Sequence, residues 1–248
     1  MKAGPLSAPH TMQKNMSDKP EIHYQDLGLI DYKQAWDYQE ELFARIIEKK
    51  LQQRELPAPP GPEPLNHLLF CEHPHVYTMG KSGDSQNLLM DLEELRAKGV
   101  QFYEINRGGD ITYHGPGQIV GYPILNLSQF NLGIRRYISI LEEAVIQVLK
   151  DYQIDAGRLA SASGVWLDTD LPARTRKICA IGVRASRGVT MHGFAFNVNT
   201  DLSYYRYINP CGFTDKGVTS MKAELGESID MASVKEKLKE RLIELFIP

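Results

Sequence analysis

Cysteine is scarce in this chain: three residues in 248, Cys71, Cys179 and Cys211, with no CxxC pair. That excludes a disulfide framework and points to free thiols in a reducing compartment. Long apolar runs are missing too, and nothing approaches the roughly 20 residues a membrane-spanning helix needs. No sign of charge dominates. The 28 Lys and Arg stand against 31 Asp and Glu, for a net charge of −3, so no whole-molecule field draws the protein to nucleic acid or to an anionic membrane. The nucleotide fingerprints GxGxxG and GxxxxGK(S/T) are absent, as is the nucleophile elbow GxSxG. His73 and His75 have no third ligand at metal spacing, so no metal is expected. The first residues, MKAGPLSAPHTMQKNMSDKP, hold no continuous apolar core, which excludes a secretory signal. Residues 1–20 read as a disordered leader, with Met12 or Met16 as alternative starts, and the protein reads as cytoplasmic.

What is present is an ordinary globular composition, 42% hydrophobic and 24% charged, with residues 21–248 read as one domain. Over 33–50, Ala35, Trp36, Leu42, Phe43, Ile46 and Ile47 fall on one helical face. Five prolines in 51–66 make that stretch a surface loop. Strands are expected at 68–72, 76–79, 118–127, 164–168, 178–186 and 189–199. Further helices are expected at 91–98, from 134 for about five turns, and at the C-terminus, with Asp230 or Ser228 as the last one's cap. Tyr103–Asn106 lead into a loop. In 189–199, His192, Phe194, Phe196 and Val198 alternate onto one side. Strands arrive in pairs as well as singly, without regular βα alternation, which predicts an α+β fold over a doubly wound sheet.

The stretch RGGDITYHGPGQ (107–118) holds four glycines beside an arginine and a histidine. No helix or regular strand wants that composition, and a loop that wraps a ligand with its main chain does. Arg107 can face the ligand or anchor the loop on carbonyls, and Asp110 and Thr112 can order it. His114 can touch the ligand or satisfy local carbonyls; His192 is the other histidine candidate. Cys211, in INPCGF, sits in a tight turn and is either a nucleophile or a small packed residue. Lys177 opens KICAIG and is either a solvated edge residue or an ammonium aimed inward at a thiol. Cys179, two residues on, shares its strand face and reads as core.

Taken together these motifs resemble one family. RGGDITYHGPGQIVGYPILNL (107–127), RKICAIGVR (176–184), HGFAFNVNTDL (192–202) and INPCG (208–212) are similar to lipoyl(octanoyl) transferases, as are EHPHVYTMGKSG (72–83) and GVTSM (217–221), in the same order. The resemblance runs from about residue 22 to 246 and leaves out the leader and the proline-rich loop. It implies an α+β domain, a mixed β-sheet core flanked by helices, related to biotin and lipoate protein ligases. It implies transfer of an octanoyl group from octanoyl-acyl carrier protein to a lysine of lipoyl domains, in 2-oxoacid dehydrogenase complexes and the glycine cleavage H protein. The nucleophile would be Cys211 and its acid/base partner Lys177. Substrate-binding positions carry over onto Arg107, Gly108, Gly109, Asp110, Ile111, Thr112, Tyr113 and His114, onto Ala180, Ile181 and Gly182, and onto Gly193, Phe194 and Ala195.

An acyl thioester is already activated, so the reaction implied here needs no cofactor. Backbone N–H groups around Gly182 are the expected oxyanion donors. Arg135, Arg136, Arg174, Arg176 and Arg184 are candidates for meeting the acidic faces of the two partner proteins, beside the ordinary role of solvated surface charge. An ATP-dependent lipoate ligase, a non-catalytic lipoyl-domain binder and a thioesterase are the alternatives, and the retention of both Lys177 and Cys211 favours the transferase.

Overall fold

A computed structural model describes residues 20–55, 66–160, 162–210 and 216–247. Most of the proline-rich loop, the leader up to residue 19 and Cys211 lie outside them. Eleven strands are described: β1 (Ile22–Leu29), β2 (Asn66–Glu72), β3 (Val76–Met79), β4 (Gln101–Glu104), β5 (Ile111–His114), β6 (Gln118–Ile124), β7 (Gly157–Leu159), β8 (Ala162–Leu167), β9 (Arg176–Ser186), β10 (Val189–Asn197) and β11 (Gly217–Val218). The helices are α1 (Tyr32–Glu55), α2 (Leu92–Ala97), α3 (Ile134–Asp151), α4 (Met221–Leu225) and α5 (Met231–Phe246).

The large sheet runs β1-β2-β6-β10-β9-β8-β7, with β11 added beside β9. Its central strands are buried on both faces, and period two decides what each face meets. On β2, Leu68 and Phe70 point to one core and Leu69 and Cys71 to the other. The first core is closed by α3 and α5, through Tyr137, Leu141, Val145, Val148, Leu238 and Leu242. The second is closed by α1, whose Ala35, Leu42, Phe43 and Ile46 recur at helical spacing. Asp31 starts α1 by accepting from the N–H groups of Lys33 and Gln34, and Asp230 starts α5 by accepting from Ala232 and Ser233. The cap of α5 is thus Asp230 and not Ser228. The mixed sheet between helical layers is the α+β architecture expected.

Strands β1, β7 and β11 and helix α4 were not expected from the sequence, and three features near the cavity differ from the sequence reading. Tyr103 lies in a strand, β4, not in a lead-in to a loop. The stretch 107–118 is not loop throughout, because Ile111–His114 forms β5. Together β4, β3 and β5 make a second sheet of three strands. ITYH has the β-branched and aromatic character of a strand, and the surrounding glycines masked it. Third, β8 and β9 slip in register: Val165 pairs with Cys179, yet Trp166 pairs with Lys177. One extra β9 residue between those two rungs is a β-bulge. Adjacent β8 residues face opposite sides, so Cys179 joins the core beside Val165 while Lys177 goes to the other face with Trp166. The expectation that Cys179 and Lys177 share a face fails for that reason.

Candidate active site

A cavity of about 350 Å³ lies over β9 and β10, within the usual size range of small-molecule sites. Its floor is made by Ala180–Gly182 and Gly193–Ala195, two sequence-predicted clusters that antiparallel register brings face to face. Gly193 opposes Gly182, Phe194 opposes Ile181, and Ala195 opposes Ala180. Lys177 lines one part of the cavity, as do Pro210 and Val218, which flank the undescribed residues that include Cys211. Arg107, Gly108 and Gly109 line another.

The opposing wall is the turn 107–110. Gly108 donates from its N–H to the Val183 carbonyl at 2.9 Å, which ties the turn to β9. On its other side Lys81 and Ser82 donate to the carbonyls of Arg107 and Gly109. The approach at β9 is close. A Cβ on Gly182 would stand 3.0 Å from both Arg107 Cδ and the Gly108 oxygen, so this position has room for glycine alone without displacement. Arg107 is buried, and its guanidinium donates to the Thr78 carbonyl at 2.7 Å, the Thr78 hydroxyl at 3.1 Å and the Gly108 carbonyl at 3.0 Å. These bonds make it a loop anchor, and it also borders the cavity. Asp110 orders the turn, accepting from the N–H groups of Ile111 and Asp84 and from the Asn87 amide.

Along β5, Ile111, Thr112 and His114 border the cavity. Tyr113 does not; it is buried in the core of the small sheet, stacked on Tyr204, with its hydroxyl 2.7 Å from His75 Nδ1. The His114 ring is held by Gln118, whose amide N–H groups are given to Tyr113 and Asn197. Gln118 therefore accepts, and His114 Nδ1 donates. Burial, helped by the nearby His73, pushes the His114 pKa down to about 3. His192 is likewise pushed down to about 3 by burial and by the Arg107 and Arg184 charges. It also leaves the expected alternation of its strand. Phe194, Phe196 and Val198 share one core, while His192, at φ 57°, turns its Nε2 to Asn106 Oδ1 at 2.9 Å. Both rings are neutral at ordinary pH, so the charge in this part of the cavity is that of Arg107.

Lys177 is buried, 8% exposed. Its Nζ stands 4.5 Å from the centroid of the Trp166 ring. Cys71 and Cys179 are buried free thiols, and burial raises both pKa values well above the usual range, which makes them unsuited to attack as thiolates. Gly182, around which the oxyanion donors were expected, lines the same cavity as Lys177. The surface arginines divide. Arg176 pairs with Glu224 and Asp168, and Arg184 with Glu40, whereas Arg135, Arg136 and Arg174 are exposed, the last also paired with Asp168.

The sequence reading missed Tyr32, Tyr122, Ile138, Asn197 and Tyr205, all of which line the cavity. Tyr122 and Asn197 sit inside motifs already singled out. Tyr32 and Ile138 are helical positions whose apolar spacing reads as core packing. Among the described residues, no helix is long and apolar enough to cross a membrane.

Comparison with known proteins places the chain in a family. The lipoyl protein ligase A/B catalytic domain matches residues 31–243. The octanoyltransferase of Cytophaga hutchinsonii is 53% identical over 235 residues, covering 95% of this chain and 96% of that one. A bipartite lipoate protein ligase from Thermoplasma acidophilum has a TM-score of 0.63 at 15% identity, over 91% of this chain and 84% of that one. Biotin protein ligase from Aquifex aeolicus, in complex with biotin and ATP, has a TM-score of 0.50 at 15% identity, over 90% and 70% of the two chains. The two structures share the fold; the closeness in sequence is to the octanoyltransferase. The chain belongs to the lipoyl protein ligase A/B catalytic domain family, and within it to the octanoyltransferases.

Proposed function

We propose that the protein takes its octanoyl group from octanoyl-acyl carrier protein and delivers it to a lysine of lipoyl domains, through a thioester on Cys211 with Lys177 as acid/base partner. The observation that carries the reading is that Lys177 and Pro210, the chain neighbour of Cys211, border one and the same cavity. That cavity has the apolar side chains Phe194, Ile181 and Ala195 in its lining, suited to an acyl chain. The substrate-binding set expected at 107–114, 180–182 and 193–195 belongs to this proposal, with Tyr113 acting behind the wall as a support.

The chemistry balances without a further reactant. The Cys211 thiolate, favoured by the neighbouring ammonium, attacks the thioester carbonyl. The tetrahedral intermediate collapses, the C–S bond to the carrier breaks, and Lys177 protonates the leaving thiolate. The neutral amine of the lipoyl-domain lysine then attacks octanoyl-Cys211. Lys177, now neutral, takes the amine's proton, and the Cys211 thiolate departs. The acceptor is a lipoyl domain of a 2-oxoacid dehydrogenase complex or of the glycine cleavage H protein. The site of action is the cytoplasm.

The test is intact mass spectrometry of the enzyme with octanoyl-acyl carrier protein, without ATP, before and after an apo lipoyl domain is added. One octanoyl gained by the enzyme and then lost to the domain is expected, with no gain in Cys211→Ser and transfer slowed by several powers of ten in Lys177→Ala. Transfer that survives in Cys211→Ser would remove the covalent route. Transfer only with free octanoate and ATP would make the protein a ligase.

A further inference from the structure

Lys177 cannot choose its own position. An ammonium on a four-carbon stem has many rotamers, and a proton-transfer group must be held. The bulge between β8 and β9 brings Lys177 opposite Trp166 on one face, and directly opposed residues of an antiparallel pair are the ones whose side chains meet. The ammonium lies over the indole face at 4.5 Å from its centroid, inside the range of a cation–π contact. The ring is itself fixed. It is 1% exposed, and its N–H donates to the Ala162 carbonyl at 3.2 Å.

The strand beneath it is fixed as well. Gly164 has φ +119°, and a Cβ there would stand 2.5 Å from the Cys179 carbonyl and 3.6 Å from Lys177 Cε. Its N–H donates to Glu142 at 3.0 Å. Glu142 is a buried carboxylate on α3, and its other oxygen accepts from Arg158 at 3.0 Å. A chain of contacts thus runs from the buried Glu142, paired with the exposed Arg158, through a glycine that closely approaches the Cys179 carbonyl, to the aromatic face under the lysine. Trp166 is not among the residues that line the cavity.

We infer that Trp166 is a positioning residue for the transfer reaction: its indole face holds the Lys177 ammonium in one position, and Glu142 and Gly164 set the strand that presents the ring. This rests on the reading of Lys177 as the acid/base partner of Cys211. An aromatic in this place acts on the rate and on the reactivity of the thiol, and leaves acyl-chain binding alone.

The experiment compares Trp166→Phe, Trp166→Met and Lys177→Ala with the parent enzyme, each first shown to be folded. Two quantities are read: kcat and KM for octanoyl-acyl carrier protein, and the pH profile of Cys211 alkylation by iodoacetamide, followed by peptide mass. Trp166→Met is expected to lower kcat about 10- to 100-fold with KM within twofold, and to move the alkylation profile to higher pH. Trp166→Phe keeps an aromatic face and should recover most of both. A folded Trp166→Met with the parent kcat and profile overturns the inference. So does a rise in KM alone, which would make Trp166 a cavity support.

If the Met variant does not fold, fluorinated tryptophans replace it. The chain has two tryptophans, Trp36 and Trp166, so a Trp36→Phe background leaves one site for them. Added fluorines weaken the ring's negative face and keep its shape. A graded fall in kcat is expected, and a flat series overturns the inference. Lys177→Ala separates the two levels: if it leaves transfer and alkylation unchanged, the role given to Lys177 fails; if it abolishes transfer while the Trp166 series is flat, only the inference fails.

Discussion

The floor and the opposing wall of the cavity are built by different means. The floor is main-chain pairing: β9 and β10 stay in register from Val189↔Ser186 to Phe196↔Cys179, and the side chains there need only be small or apolar. The wall is a turn that cannot pair with itself. It is held by a few main-chain bonds, to Val183 and from Lys81 and Ser82, and by side chains, Arg107 reaching back to Thr78 and Asp110 reaching across to Asp84 and Asn87. Sheet order is spread over many equivalent bonds, so no single floor residue carries it. The wall has only a few main-chain bonds and depends in addition on two charged side chains and on one absent Cβ, at Gly182. Such a wall is adjustable around a ligand and vulnerable to single changes.

Acid should break this arrangement with the largest effect. His114 stands in the wall, His192 in the floor and His73 behind both, and burial pushes their pKa values down to about 3, about 3 and about 4 from 6.5. Below pH 6.5 the unfolded chain takes up protons on these rings while the folded chain does not. Their contribution is therefore complete above pH 6.5 and is lost as pH falls toward 4, at about 1.4 kcal/mol per pH unit for each ring. Urea midpoints measured at pH 7.5 and pH 5 should show a loss of several kcal/mol. Equal midpoints would mean that the rings are not buried as neutral groups.

A sharper cut is Gly182→Val, which keeps the floor's pairing and drives a branched side chain into Arg107 and Gly108. Stability should fall by about 1–3 kcal/mol through overpacking, and octanoyl transfer by two powers of ten or more. Normal transfer in that variant would show that the wall gives way freely and that the close approach is not needed. The smallest effect expected is from Asp110→Ala, which removes three acceptor contacts from a half-buried turn and should cost about 1–2 kcal/mol. Because the loss is confined to the wall, KM for the acyl donor should rise more than kcat falls. The reverse pattern in steady-state kinetics would place Asp110 nearer the chemistry than the geometry does.

Much of this was readable from the chain. The apolar spacing of α3 and α1, the burial of Cys179 and the two motifs that form the floor follow from residue type and period. For Arg107 the sequence offers two roles, ligand-facing charge or loop anchor, and its partners at Thr78 and Gly108 show that it anchors the turn while also bordering the cavity. Strand β5 was hidden because glycines on both sides of ITYH outweigh four residues of strand character. The pairing of Lys177 with Trp166 was unreadable, since a bulge inserts one residue and reverses which neighbours share a face.

Local chemistry in the sequence therefore determined the main helices, the buried strands and the family to which the chain belongs, because each depends on periods and motifs written along the chain. Only the tertiary structure decided which residues face the cavity, which charged side chains hold the turn, and what Lys177 rests against. Those depend on register and close approach between segments far apart in sequence, and a one-residue slip is enough to change them.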